Sequence, residues 1–453
     1  MFQAEKKIEM CRTNIVCLTL LSVLLVAVCC QVGYSADTVL NLDDLPVSGE
    51  SMVITSDSIL TVDAGETAVI EGALQIDGTE DDITELKIVN NGELTITDTT
   101  IRCNHANLTV HNNGFLTLET VHLTVIGNST FAANNEGDCF MTDTSVDVLG
   151  GYFYFTNDGT LTVQNGYFKD QFDGTFITNY GEAELFETTF VVNGAEGKIE
   201  LFNSGDLLLS QGVFDVNYGG TLNMNSLTGN LTMNECSMDV SGKSHGDQSA
   251  VNILGDNATW ESCTFVNNGG FINYLNTGEV NANNCAVYIS SADSSTILSS
   301  SGPMVFEKLS LSGSGSTRIT NWDSMTLIDS NYNSSNSLNL MNNGELTAEN
   351  WLVKTTSNTA RIVVYNGDNG TITFDVPFIE DVSSSVLASV GPDEQEFVED
   401  SGGTITVTNN GLMSEKSGTG GGSDSTMIYV LAVVAAAIVV IVVFFIVKKK
   451  KQN

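Results

Sequence analysis

From about residue 50 onward, apolar and polar residues alternate in short bursts, and the bursts are punctuated by glycine. Alternation is the period of a strand, whose successive side chains point to opposite faces, and no unit keeps a helical period. The phrases Asn90-Asn91-Gly92-Glu93-Leu94-Thr95, Asn112-Asn113-Gly114-Phe115-Leu116-Thr117 and Asn342-Asn343-Gly344-Glu345-Leu346-Thr347 are nearly the same. With the glycine as landmark, the unit recurs at Gly92, Gly114, Gly137, Gly159, Gly181, Gly205, Gly229, Gly255, Gly278, Gly302, Gly344 and Gly370, with Ser324 standing in once. The steps run from 20 to 26 residues and average about 23.

Fixed columns follow each landmark. Two residues on stand Leu94, Leu116, Cys139, Leu161, Ala183, Leu207 and Leu231; four on stand Ile96, Leu118, Met141, Val163, Leu185, Leu209 and Met233. Nine on comes a third column that includes Ile101, Leu123, Val146, Phe168, Phe190 and Phe214. A unit this small cannot bury its own apolar face, so the columns predict side chains stacked inside a solenoid, coil upon coil, at about 4.8 Å per step. Asparagine two residues before the glycine, at Asn90, Asn112, Asn135, Asn157, Asn179, Asn203, Asn276 and Asn342, predicts amides bonded to their equivalents above and below. The glycine itself is expected to supply a tight turn with φ above zero.

A leucine-rich repeat would need its L-x-x-L-x-L-x-x-N frame, which is absent. The unit length, the three short strands per unit and the asparagines resemble the right-handed parallel β-helix of pectate lyases and autotransporter passenger domains. That resemblance covers about residues 50–410 and is one of architecture, with no catalytic motif matched. It implies an all-β, right-handed parallel β-helix solenoid of about 13 coils, closed by Pro377, the acidic stretch Asp393–Asp400 and a final Thr404–Val407 segment.

Two longer apolar runs fall outside the repeat. Lys6, Lys7 and Arg12 precede the run Ile15–Cys30, and small residues follow at Gly33, Ser35 and Ala36, the order of a signal peptide. Met427–Val447 is 21 residues without a charge, long enough to cross a hydrocarbon core of about 30 Å, and Lys448–Lys451 follow directly. The lysines predict a cytoplasmic C-terminus and an external ectodomain. The terminal Lys450-Lys451-Gln452-Asn453 also matches a dilysine retrieval signal, so the endoplasmic-reticulum membrane is the alternative location to the cell membrane. The expected organisation is a signal peptide over 1–36, a β-helix ectodomain over 37–411, a flexible linker over 412–426, a transmembrane helix over 427–447 and a basic tail over 448–453.

Between these ends the chain keeps 53 of its 55 acidic residues and 10 of its 17 basic ones, a net charge of −43. Such a surface repels phosphate backbones and excludes nucleic acid as a partner. Glycans or other surface proteins are the expected partners, along with the membrane through one helix. Five cysteines remain, Cys103, Cys139, Cys236, Cys263 and Cys285, too few for a disulfide scaffold, although the last three recur at equivalent places in successive units. Asn107, Asn128, Asn230, Asn257, Asn333 and Asn369 carry the N-glycosylation pattern.

Residues between the buried columns point outward. One after the glycine the row reads Glu93, Phe115, Asp138, Thr160, Glu182, Asp206, Asn230, Asp256, Glu279 and Pro303; three after it come threonines, broken by Phe140, Glu184 and Leu208. Glu182, Glu184 and Asp206 gather three carboxylates on neighbouring coils and are the candidate calcium ligands, the one cofactor the sequence suggests. His105, His111, His122 and His245 lack metal-ligand spacing. The resemblance implies that a lyase of this architecture would pair such acids with a basic proton acceptor. The arginines Arg102, Arg318 and Arg361 stand in neither outward row. The expected function is therefore a membrane-anchored structural, adhesive or glycan-binding rod without a catalytic residue; a tethered polysaccharide lyase or glycoside hydrolase is the alternative.

Overall fold

The computed structural model describes residues 38–242 and 249–416. They form an all-β parallel solenoid of about 14 turns with almost no helix. At about 4.8 Å per turn this is a stack of roughly 65 Å. The turn count exceeds the expected 13 because strands such as Thr38–Leu40, Ser51–Ile54 and Thr67–Asp77 precede the first landmark glycine. Between about residues 93 and 366 each turn gives one strand segment to each of three parallel sheets. Thr160–Gln164, Tyr167–Phe172 and Gly174–Asn179 lie directly under Glu182–Phe186, Thr189–Glu196 and Lys198–Asn203 of the next turn.

The register matches the periodic columns. Leu161 pairs with Ala183, Phe168 with Phe190 and Asn179 with Asn203, and every residue of the three apolar columns is buried. Phe168, Phe190 and Phe214 stack as nearly parallel rings, with centroids 5.3 and 5.1 Å apart. A fourth column, two residues beyond the third, runs Cys103, Val125, Val148, Asp170, Val192, Val216 and Val240 and is equally buried. The expected amide ladder is present: the side-chain NH2 of Asn135 donates to the Oδ1 of Asn157 at 2.7 Å and that of Asn157 to Asn179 at 2.8 Å. It resumes in the later coils from Asn321 through Asn342 and Asn366 to Asn409.

The landmark glycines do their work differently from the expectation. Their φ is not positive; instead, a Cβ on Gly137, Gly159, Gly181 or Gly205 would lie 2.0–2.1 Å from the carbonyl oxygen of the glycine one coil below. Stacked backbone, not left-handed conformation, excludes a side chain. A row of left-handed residues marks the next corner, between the first and second sheets, and no member of that row is glycine: Asp98, Thr120, Asp143, Asn165, Glu187 and Gln211 have φ of 46–54°. The landmark is also shifted in two coils. Gly255 occupies the amide-ladder row, in register between Ser226 and Asn276, and Asp256 takes the turn position beneath Gly278. Asp323, not Ser324, takes the turn position beneath Gly344.

Near the C-terminal end, Thr404–Asn409 is a full parallel strand on Arg361–Asn366 rather than a closing turn. The inserted segment before it supplies the cap, with a short helix, Ser384–Ala388, and a strand, Gln395–Val398, antiparallel to Thr404–Val407. Leu412–Glu415 pairs with Thr371–Phe374, so the solenoid extends into the segment expected to be linker. Among the described residues no helix is long and apolar enough to cross a membrane. The expected signal peptide, the transmembrane helix over 427–447 and the basic tail lie outside the described residues.

Candidate functional site

The outward face of the first sheet carries an open groove. Glu182, Asp206 and Asn230 stand in register on successive coils, and Asn257 continues the row above Asn230. The row three residues after the turn runs parallel to it as Glu184, Leu208, Thr232 and Thr259. Glu182 and Glu184 stand at one end of the two rows and Glu279 and Asn281 at the other. The groove has a volume of about 600 Å³. A smaller depression of about 260 Å³ on the same sheet is bounded by Glu93, Thr95, Phe115, Thr117 and Phe140.

Fixed polar groups line the larger groove. Asn230 donates its Nδ2 to Asp206 Oδ1 at 2.7 Å, and Asn281 donates to Glu279 Oε1 at 3.1 Å. Each carboxylate thus orients an amide whose own oxygen remains an acceptor. The lining includes no Lys, Arg or His. Arg102 is on the second sheet, opposite Gln75 and Thr124, and Arg318 and Arg361 are on the third. A proton acceptor of the basic kind that a lyase needs is therefore not among the lining residues.

Of the proposed calcium ligands, Glu182 and Asp206 meet in register, whereas Glu184 stands opposite Leu208. Among the described residues no group of three His, Cys, Asp or Glu side chains is gathered closely enough to hold a metal ion. Of the histidines, His122 places Nδ1 2.6 Å from Ser145 Oγ on the second sheet, and His245 lies outside the described residues.

The glycosylation candidates are dispersed. Asn107 lies on the third sheet, Asn128 at a left-handed corner with φ 57°, Asn333 on the second sheet and Asn369 just before the strand Thr371–Phe374. Asn230 and Asn257 both line the groove. A glycan on either would occupy it.

The site-level feature the repeat did not announce is Asp170. Its carboxyl is fully buried in the fourth apolar column, accepting from Thr175 Oγ1 at 2.9 Å and from the Lys198 backbone N–H at 3.3 Å. Burial pushes its pKa up to about 7, against the opposing pull of those two donors. Its signal in the sequence is a single polar residue between Val148 and Val192 in an otherwise apolar column.

No protein-family model, no curated protein and no solved structure matches this chain.

Proposed function

We propose that this chain is a membrane-anchored surface protein whose solenoid, wound in the right-handed sense of the β-helix proteins it resembles, binds an extended glycan along the first-sheet groove. The observation that carries the reading is the groove itself, with carboxylates that hold amides in place. Carboxylates and amides side by side present the acceptors and donors that sugar hydroxyls need, and Leu208 gives an apolar patch for a ring face. The excess of acid favours an uncharged or cationic glycan over an anionic one.

Anchoring is supported by the apolar run 427–447 with its lysines, and export by the charged and apolar segments of residues 1–36. Protease added to intact cells is expected to remove nearly the whole chain; full protection on cells shown to be intact would place the rod in an internal lumen. Binding is tested by presenting the full-length chain, in detergent, to immobilised neutral, cationic and anionic polysaccharides. Retention on neutral or cationic polymers supports the reading, and retention on none contradicts it.

A hydrolase is the second reading, and one observation favours it: Glu182 and Asp206 stand in register on adjacent strands about 4.8 Å apart, and retaining glycosidases work with a pair of neighbouring carboxyl groups. Release of reducing ends from a retained polymer would move the assignment from binding to catalysis.

A further inference from the structure

Cys236, Cys263 and Cys285 occupy one column, each directly after the left-handed corner residue of its coil, Glu235, Ser262 and Asn284. In earlier and later coils the same position holds Thr99, Thr144, Thr188 or Ser330, whose hydroxyls donate to the carbonyl two residues back. The thiols do the same, reaching the carbonyls of Asn234, Glu261 and Asn283 at 3.4–3.5 Å. A hydroxyl would serve that purpose as well, and in this column sulfur is present in three consecutive coils. Each thiol is at most 2% exposed.

The register makes consecutive members direct neighbours. The Thr264 N–H bonds the Cys236 carbonyl and the Ala286 N–H bonds the Cys263 carbonyl, both at 2.9 Å. Neighbouring strands run about 4.8 Å apart, inside the Cα window of roughly 4.4–6.8 Å that a disulfide accepts. Cys236 and Cys285 are two coils apart, about twice that spacing and beyond the window. Cys263 also dominates the acidity of both neighbours, lowering the pKa of Cys236 and raising that of Cys285 through hydrogen bonding. Cys103 and Cys139 belong to other columns.

We propose that Cys263 is the obligatory member of a cross-coil disulfide, pairing with Cys236 or Cys285 in an oxidising compartment and leaving the third cysteine as a thiol. The placement in such a compartment rests on the export reading above. In the step, one thiolate attacks an oxidant disulfide, either glutathione disulfide or a protein disulfide, and expels one thiolate from it. The second cysteine thiolate displaces the other half, so two thiols lose two hydrogens and the oxidant is reduced to two thiols. The bridge ties coils together where the amide ladder is interrupted at Gly255.

The test is differential alkylation and peptide mapping of the full-length chain, denatured without reduction. One sample is isolated from membranes of expressing cells; the other is made reduced and then exposed to glutathione disulfide during refolding. The expected result is Cys263 blocked in linkage with one neighbour, and Cys103 and Cys139 alkylated. Cys263→Ser is expected to abolish the bridge, whereas Cys236→Ser and Cys285→Ser each leave one. A bridge only in the glutathione arm keeps the proposal and removes the export reading. A bridge in the membrane sample supports both. Free alkylation of all three cysteines in both samples overturns the proposal.

Discussion

The side-chain NH2 of Asn112 donates to Oδ1 of Asn135 one coil above at 2.6 Å, and also to the carbonyls of Gly114 and Asp138. One amide therefore satisfies its own turn, the next turn and the next amide. Because each buried donor left unmade costs roughly 1–3 kcal/mol, a ladder member stabilises two coils at once. Asn157→Ala, in the middle of the run, is expected to lower stability by about 2–5 kcal/mol in urea denaturation. An unchanged midpoint would mean that the ladder is decorative.

Core identity is tested at Phe190, which stacks on Phe168 and Phe214. Phe190→Ala is expected to cost about 3–5 kcal/mol by leaving a cavity in a ring stack. Thr162→Ser, on the outward row of the first sheet, is expected to change stability by no more than about 0.5 kcal/mol. Equal melting temperatures for these variants would invert the inside and outside of the solenoid.

The corners give a stabilising prediction. Thr120 is β-branched and held at φ 54°, a conformation that costs an L-residue roughly 1–2 kcal/mol. Thr120→Gly removes the strain while keeping the backbone bond to Thr142, and is expected to raise stability by about 1 kcal/mol. Gly159→Ala is expected to do the opposite, losing about 1–3 kcal/mol to overpacking, because its Cβ would meet the Gly137 carbonyl at 2.0 Å.

Most of this fold was legible because a solenoid repeats its chemistry every 23 residues or so, and identical environments select similar residues. Leu161, Val163 and Phe168 could be placed from their neighbours in sequence alone. The role of the glycines could not, since a φ-driven turn and a backbone collision both demand glycine, and the left-handed corner accepts Asp, Thr, Asn, Glu and Gln alike. The groove was half legible: Glu182, Glu184 and Asp206 were visible as an outward cluster. That their row continues into Asn257 became clear only once Gly255 was seen to occupy the ladder row.

Asp170 sets a pH dependence. In the native state its carboxyl holds a proton up to about pH 7, whereas in the unfolded chain it releases it near the ordinary value of 3.8. The native state therefore binds more protons in that window. The contribution of this residue is complete below pH 3.8, declines by up to about 1.4 kcal/mol per pH unit as pH rises, and is spent above about 7. Asp170→Asn is expected to flatten that slope and to be relatively more stable than the parent at pH 8 than at pH 4. Parallel stability–pH curves for the two chains would show that the group does not titrate as described.

The groove reading is tested most directly by filling the groove and leaving the rest of the rod alone. Leu208→Trp puts an indole on its floor, and Val213→Trp puts the same ring on the exposed face of the second sheet. With both variants folded to the parent melting temperature, retention of the full-length chain on a polysaccharide that the parent binds is measured side by side. We expect Leu208→Trp to lose at least about tenfold in affinity, roughly 1.4 kcal/mol, and Val213→Trp to match the parent. Equal retention of all three chains would place the ligand elsewhere on the solenoid and contradict the groove as its site.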